Sequence, residues 1–211
     1  MGVTATAGNY TETKDYELLE GGVYPGRCIQ IVDLGSHPNT HPQAKAGSVK
    51  HEVLIVWELS GELMQDGRPF VVNKRYTLSL GDKAILRSDL KSWRGRDFTA
   101  EELQGFAMKN ILDAPCMLNI AKVASKKDAK KFFNNVLSIM PLAKGMTVAD
   151  RVNDLVDFAI EDRGNKELME KLYPWVRKVI EESLETKGAM PSEQSDSHDD
   201  GFSMGNEKPP F

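Results

Sequence analysis

The sequence predicts a mainly β protein with helical additions. Apolar and polar residues alternate over 69–80, where Phe70, Val72 and Tyr76 share one face, and this period of two is typical of a half-buried strand. Four further segments have strand-like composition, and a helix-periodic segment lies between the third and the fourth strand. Five antiparallel strands with a helix at that point are the layout of an OB-fold barrel. We therefore expect a five-stranded OB-fold barrel with a helical insertion between strands three and four and a C-terminal helical extension.

The first two strands are predicted over 22–34 and 49–60. Gly26 allows the curvature that the first strand of a small barrel needs. Pro, Gly and small polar residues fill 35–48, which predicts a long loop. In the second strand the apolar residues at odd positions share one face, and Trp57 among them is expected in the core.

The helical insertion is predicted to begin at Gly81 and Asp82, which break the third strand and can cap a helix. Apolar residues then recur at helical spacing, namely at Ile85, Leu86, Leu90 and Trp93. Thr99 and Glu102 form a capping box that predicts a second short helix.

The last two strands are predicted as a hairpin over 116–124 and 132–142. The charged segment SKKDAKK, residues 125–131, forms its tip. Cys28 and Cys116 stand in apolar, strand-like settings, so we expect two buried free thiols.

Composition divides the chain into four parts. Residues 1–15 lack any apolar period and are expected to form a flexible arm. Residues 16–145 form the barrel domain, residues 146–187 form a helical extension packed on the barrel, and residues 188–211 form a disordered acidic tail.

Within the extension, 156–160 is a candidate edge strand. An amphipathic helix is predicted over about 165–186, with an interruption at Pro174. Trp175 belongs to the apolar stripe of this helix, and we expect it in the core.

The formal net charge of −4 belongs to the tail. Residues 189–211 hold five acidic residues and one basic residue, which leaves 26 of each in 1–188. Within this neutral body, 67–96 carries eight Lys and Arg against two Asp, a local balance of +6. This segregation predicts an anionic ligand for the body and a separate task for the tail.

Catalytic and metal-binding patterns are missing from the sequence. There is no phosphate-binding loop, no dinucleotide-binding glycine pattern, no nucleophile elbow and no CxxC pair, so we predict neither an enzyme nor a cofactor. His37 and His41 are spaced as His-x-x-x-His, but Pro38 and Pro42 exclude a shared helix, and no second ligand pair completes a metal site. Since no apolar run approaches about 18 residues and no secretory signal is present, we expect no membrane association and a cytoplasmic location.

Basic and aromatic side chains in the barrel fit the chemistry of single-strand binding. Lys and Arg neutralise phosphates, and aromatic faces stack bases, each stack contributing roughly 1–3 kcal/mol. The candidate DNA-binding residues are Lys74, Arg75, Tyr76, Arg94, Arg96, Lys122, Lys126, Lys127, Lys130, Lys131, Phe132 and Phe133. We expect the basic ones to line one continuous groove.

Phe132 and Phe133 are adjacent in a predicted strand, so their side chains must point to opposite sides of the sheet. One is therefore expected in the core and the other against a base, and alternation does not decide which. Trp57 and Trp93 are the next candidates for a stacking platform.

Three segments resemble a family of phage and prophage single-stranded-DNA-binding proteins with an OB-fold. They are LRSDLKSWRGRDFTAEELQGF (86–106), NILDAPCMLNI (110–120) and NNVLSIMPLAKG (134–145). The similarity covers about residues 20–185, and SWRGR-F-T-x-E-E-L is its most specific part. It implies a sequence-independent single-stranded-DNA-binding protein that acts in phage DNA replication or recombination in the bacterial host cytoplasm.

The C-terminus is similar to that of bacterial single-stranded-DNA-binding proteins, which end in a disordered acidic tail closed by Pro-Phe. This chain departs from that pattern at Lys208, where an acidic residue would be expected. The similarity implies that replication or recombination proteins dock on Asp199, Asp200, Pro210 and Phe211. A homo-oligomer is compatible with the sequence, which does not decide the oligomeric state.

Two other functions stay open at this point. The first alternative is a protein-interaction adaptor without DNA binding, and the second is a nuclease-like accessory enzyme. Salt-dependent affinity for an oligonucleotide separates the adaptor from a DNA-binding protein. Metal-dependent cleavage of DNA would distinguish a nuclease-like enzyme from both other functions.

Overall fold

A computed structural model of the protein describes residues 17–125 and 131–188 and confirms a mainly β fold with helices. The strands are β1 (Gly22–Pro38), β2 (Val49–Leu63), β3 (Pro69–Thr77), β4 (Pro115–Ala124), β5 (Phe132–Met140) and β6 (Val156–Phe158). The predictions for the N-terminal arm and the acidic tail fall outside the described residues. So do those for Lys126, Lys127, Lys130, Asp199, Asp200, Pro210 and Phe211.

The strands form one sheet in the order β3-β2-β1-β4-β5, with antiparallel neighbours throughout. The long β1 is shared between two partners, because its first residues up to Arg27 pair with β4 and the rest pairs with β2. Register shifts at Cys28/Gln30 and at Asp33/Gly35 mark bulges, which bend a strand and increase its twist. β6 adds a short parallel pairing to β1.

The two edges of this sheet, β3 and β5, are not joined by a backbone ladder in the described part of the chain, so the sheet is open. Helix α1 (Ile85–Arg94) bridges the two edge strands. Its Asp89 pairs with Lys74 of β3 at 2.7 Å, and its Ser92 hydroxyl donates to the Ile139 carbonyl of β5 at 2.6 Å. A continuous cylinder of hydrogen-bonded strands is therefore not observed.

The first turn of α1 differs from the prediction. Ala84, not Gly81 or Asp82, precedes the helix, and no side chain caps it. The Asp82 carboxylate instead pairs with Arg87, because the helix presents that guanidinium to the preceding loop.

The remaining α-helices are α2 (Ala100–Gln104), α3 (Lys166–Glu170), α4 (Pro174–Glu181) and α5 (Leu184–Lys187), and two 3₁₀ helices span Met108–Ile111 and Ile160–Gly164. The capping box predicted for α2 is confirmed, since the backbone N–H of Glu102 donates to the Thr99 hydroxyl at 3.3 Å and the Thr99 N–H donates to the Glu102 carboxylate at 3.0 Å. The single helix predicted near the C-terminus is divided into α3, α4 and α5. Pro174 begins α4, where its missing N–H costs no hydrogen bond.

The main core lies on the inner face of the sheet, under α1. Trp57 is fully buried there, as predicted, and its ring centroid lies 6.0 Å from that of buried Trp93. Cys28 and Cys116 are buried free thiols, and burial raises the pKa of both. Since Trp57 and Trp93 are enclosed, neither ring is accessible for base stacking.

A second core lies on the outer face of β1 and β2, against β6 and the C-terminal helices. Leu54 and Val56 of β2 pack there, which explains why β2 is buried on both faces. Leu172, Val176 and Ile180 supply the helical side of this core. The extension is therefore packed on the sheet.

The prediction that Trp175 belongs to this core is wrong. Its side chain is 45% exposed. The buried positions of the helical region, Leu172, Val176 and Ile180, follow each other at intervals of four residues, and Trp175 lies beside that stripe.

A short segment before β1, residues 17–20, connects two hairpins of the sheet. Glu17 accepts a hydrogen bond from the Gln65 N–H in the β2–β3 turn at 2.9 Å. The Leu19 backbone exchanges two hydrogen bonds with the Asn134 side chain of β5, at 2.9 and 2.8 Å. Separately, no helix among the described residues is long and apolar enough to cross a membrane.

Candidate nucleic-acid interface

The loop end of the β4–β5 hairpin presents the two predicted aromatic residues. Phe132 pairs with Ala124 and Phe133 with Val123 in an antiparallel ladder. As expected for adjacent strand residues, the two rings lie on opposite faces. Phe132 is 50% exposed and Phe133 is 46% exposed.

The prediction that one of the two rings is in the core is therefore wrong. Val136 and Ile120 are the last buried residues of β5 and β4 on the way to the hairpin tip. Beyond them the two strands extend past the packed interior, where residues 19–20 contact Lys122 and Asn134 but leave both phenylalanine rings half-exposed. Both Phe132 and Phe133 are accessible to a ligand.

The face that carries Phe132 also carries cationic and amide groups. Lys122 is opposite Asn134 on the next rung of the same face, and its ammonium contacts the exposed Glu20 carboxylate at 2.9 Å. Lys131 immediately precedes Phe132 opposite Ser125, so alternation places it on the face of Phe133; it is exposed, and the described part of the structure gives it no ion pair. A half-exposed aromatic ring and two lysines thus share one end of the hairpin.

Alternation along β3 separates the three candidates Lys74, Arg75 and Tyr76. Tyr76 is 4% exposed and donates its hydroxyl to Asp89 at 2.9 Å, and burial raises its pKa. Lys74 lies on the same inner face and pairs with the same carboxylate. The predicted stacking role of Tyr76 is therefore corrected, because its ring is enclosed between β3 and α1.

Arg75 lies on the outer face of β3 and belongs to a cleft of about 760 Å³. Its guanidinium pairs with the Glu52 carboxylate, which Lys50 also contacts at 2.7 Å. Lys83 lines the same cleft, is exposed and has no ion pair within the described residues. Two cations thus contact one buried carboxylate, and with Lys83 in its lining the cleft keeps a positive surplus.

Arg94 and Arg96 lie elsewhere, at the end of α1. The Arg94 guanidinium lies 4.4 Å from the Phe98 ring centroid and 4.9 Å from that of Phe106, and it pairs with Glu102. Arg96 contacts the same carboxylate at 2.8 Å, which lowers the pKa of Glu102 to about 2. The Arg94 side chain is only 12% exposed, so its DNA-binding assignment is corrected to a structural one.

The positive balance predicted for 67–96 is largely neutralised by the fold. Seven of its eight cations contact carboxylates, and Lys83 is the exception within the described residues. Four of these carboxylates lie outside the segment, namely Glu52, Asp66, Asp97 and Glu102. With them included, the balance falls from +6 to +2.

The candidate residues consequently lie in three places. The hairpin holds Lys122, Lys131, Phe132 and Phe133, the cleft holds Lys74 and Arg75, and a smaller cavity of about 410 Å³ holds Arg94 and Arg96. The cleft and the smaller cavity have no lining residue in common. Among the described residues, these side chains therefore do not line one continuous groove, as was expected, but lie in separate places.

The sequence reasoning missed two residues of interest, Trp175 and Lys83. Trp175 is exposed on α4, and Lys178 lies about one turn further along the same helix. The spacing of the buried positions 172, 176 and 180 was the signal that could have identified Trp175 as a flanking residue. For Lys83 no local signal exists, because only the fold shows which cations keep a free charge.

Within the described residues, no group of three or more His, Cys, Asp and Glu side chains is arranged to hold a metal ion. The Nε2–H of His37 donates a hydrogen bond to the Leu34 carbonyl at 3.0 Å. In comparisons with known proteins, no protein-family model, no curated protein and no solved structure matches this chain.

Proposed function

We propose that this protein binds single-stranded DNA without sequence preference, with the loop end of the β4–β5 hairpin as its principal contact. The observation that carries the proposal is the half-exposed Phe132 ring beside Lys131 and Lys122. An aromatic ring stacks any base, and neighbouring cations attract the phosphates on either side of it. This combination binds a strand without reading its sequence.

The arrangement of the strands supports an OB-fold as the frame of this site. The order β3-β2-β1-β4-β5, with α1 between the edge strands, matches a partly open five-stranded barrel. Oligonucleotides bind such folds on the face of strands two and three and on loops that include the one between strands four and five. In this proposal the β4–β5 hairpin corresponds to that loop.

The cleft beside β3 supplies a second phosphate contact in this proposal. Lys83 offers an exposed ammonium that has no ion pair among residues 17–125 and 131–188, while Lys50 and Arg75 already share the Glu52 carboxylate. Phosphate groups compete poorly for paired cations and well for Lys83. We therefore assign the larger electrostatic contribution in the cleft to Lys83.

The cellular role follows from the sequence resemblance. The protein acts on DNA replication or recombination of a phage, in the cytoplasm of the bacterial host. Its C-terminal residues Asp199, Asp200, Pro210 and Phe211 dock replication or recombination proteins.

The proposal is tested by titrating a fluorescent oligo-dT with the full chain at two salt concentrations. Phe132→Ala should weaken affinity by about 5- to 150-fold, the range that corresponds to one lost stack of roughly 1–3 kcal/mol. Val152→Ala is the control, since this side chain is 70% exposed on a different segment. Lys131→Gln should lower the slope of log affinity against log salt by about 0.7.

Unchanged affinity in Phe132→Ala, with an unchanged melting temperature, would contradict the stacking contact. A complete lack of oligonucleotide binding at low salt would favour the adaptor. One observation supports that second function, namely that seven of the eight cations in 67–96 are already ion-paired. Cleavage of the oligonucleotide that depends on added Mg²⁺ would instead indicate a nuclease.

A further inference from the structure

The outer face of the sheet is covered over part of its width. On β2 and the second half of β1 it carries β6 and the C-terminal helices, and Leu54 and Val56 are fully buried there. Oligonucleotides bind OB-folds on the face of strands two and three. Because the extension occupies that face on β2, we expect a bound strand to follow another part of the sheet.

The part of the outer face that is formed by β4, β5 and the first half of β1 is accessible, and we call it the outer β1–β4–β5 face. The buried residues Leu118, Ile120 and Val136 point inward, so their neighbours along β4 and β5 point outward. Val23 is 51% exposed and Phe133 is 46% exposed. The outward positions of the three strands include Val23, Arg27, Met117, Asn119, Ala121, Val123, Phe133 and Asn135. Apolar side chains and neutral amides thus occupy this face between its two ends.

Cationic side chains lie at both ends of the outer β1–β4–β5 face. At the loop end of the hairpin, Lys131 lies on the face of Phe133, is exposed and has no ion pair within the described part of the chain. At the other end, Arg27 contacts the Asp113 carboxylate at 3.3 Å, and Arg151 contacts the same carboxylate at 3.6 Å. Three cations and one carboxylate leave a surplus of two positive charges. Because like charges repel, this surplus favours a polyanion over a second copy of the same surface.

We propose that the bound single strand crosses the loop end of the hairpin and continues along the outer β1–β4–β5 face towards Arg27 and Arg151. This proposal rests on the proposed DNA binding at Phe132 and adds a second contact surface to it. Bases along this path meet the Phe133 ring and the apolar side chains, and an aromatic ring stacks any base. The phosphates meet Lys131 at one end of the face and the two arginines at the other.

The loop end of the hairpin is suited to such a crossing. Phe132 and Phe133 lie on opposite faces at adjacent positions, so a strand that passes over this end meets one ring on each side. From Ser125 to Pro115, β4 extends over about 33 Å, and this length separates the cation at one end from those at the other. Several nucleotides fit along it, in line with the roughly 4–16 nucleotides that one OB-fold covers.

Thiol footprinting of the full chain tests this path. Val23→Cys places a thiol on the outer β1–β4–β5 face, and the two native thiols, Cys28 and Cys116, are buried. Saturating oligo-dT of about 16 nucleotides, the upper site size of an OB-fold, should slow the reaction of the new thiol with N-ethylmaleimide severalfold. Glu181→Cys is the matched control, because this position is exposed at the end of α4 in the extension, and its reaction rate should not change.

Affinity for the same oligonucleotide gives a second readout. Phe133→Ala should weaken binding by about 5- to 150-fold, the range that corresponds to one lost stack. Arg151→Gln should lower the slope of log affinity against log salt by about 0.7. Lys166→Gln, which removes the same charge on α3, should leave that slope unchanged.

Binding of oligo-dT that leaves the Val23→Cys thiol as reactive as without DNA would overturn the path but leave the proposed function standing. A wild-type chain that binds no oligo-dT at low salt would overturn the proposed function, and the path with it. Without DNA, a reaction rate that falls as the protein concentration rises would show a second copy on this face, which also overturns the path. A thermal melt shows whether the fold is retained, and if Val23→Cys does not fold, Asn119→Cys, opposite it on β4, replaces it with the same expectation.

Discussion

The buried carboxylate of Glu58 connects the C-terminal extension to the sheet through hydrogen bonds. It is fully buried and accepts hydrogen bonds from the Ser60 hydroxyl at 2.6 Å, the Val152 N–H at 2.7 Å and two groups of Asn153 at 2.8 and 2.6 Å. Burial raises the pKa of Glu58, but these four hydrogen bonds lower it by a larger amount. The net effect is a pKa below the usual glutamate value. The ionised form is therefore the one that the folded protein stabilises.

Replacing Glu58 by Gln should destabilise the protein by roughly 1–3 kcal/mol, because an amide nitrogen then faces groups that are themselves donors. Urea unfolding measures the effect, and Glu62→Gln in the same strand is the control. The Glu58 contribution is complete above the unfolded glutamate pKa of about 4.3 and is lost as the pH falls through the lower folded value. An acid titration of stability should thus be shallower in Glu58→Gln, and equal acid profiles for the two variants would contradict this account.

At the scale of elements, α5 is held against the second bulge of β1. The Glu185 carboxylate accepts the Ser36 N–H at 2.8 and 3.0 Å, and His51 contacts Asp33 at 2.7 Å beside it. The hydrogen bond to Asp33 raises the pKa of His51. Gly35, at the bulge itself, has φ +77°, a left-handed conformation that glycine adopts without strain.

Gly35→Ala should therefore weaken the docking of α5. An added Cβ would lie 2.7 Å from a Glu185 carboxylate oxygen and 2.8 Å from the Ser183 Cβ. Gly67→Ala is a matched control, since it has φ +83° and no atom within 4 Å of the added Cβ. Both variants should lose about 1 kcal/mol of stability from backbone strain. Only Gly35→Ala should lose more and show faster amide exchange in α5, and equal losses in the two would contradict the contact.

At the scale of the whole molecule, the accessibility of the three tryptophans is a direct test of how the extension packs. Trp57 and Trp93 are buried, whereas Trp175 is 45% exposed. Iodide should quench only the fraction of the tryptophan fluorescence that comes from Trp175. In Trp175→Phe that quenchable fraction should be absent, and the emission of buried Trp57 and Trp93 should lie at shorter wavelength than that of the wild type. Substantial quenching that persists in Trp175→Phe would show that the sheet does not enclose Trp57 or Trp93 as described.

Strand positions and the inner core were predictable, because a period of two in the sequence directly reports which residues face a packed interior. Trp57 and the thiols of Cys28 and Cys116 are examples. The charge of the candidate site was not predictable, since Glu52 and Glu102 reach Arg75 and Arg94 only through the fold. Phe132 and Phe133 show the same limit, because alternation assigns faces but does not tell where the packed interior ends.

The long β1 also determines when the protein can complete its fold during synthesis. Its ladder to β2 forms between neighbouring segments, but Arg27 must wait for Pro115 and Gln30 for Val156. At ribosomal rates of about 5–20 residues per second, that wait is on the order of ten seconds. Throughout it, one edge of a nascent apolar strand is unpaired and open to other chains. Chaperones that bind extended apolar segments therefore have their best opportunity at β1.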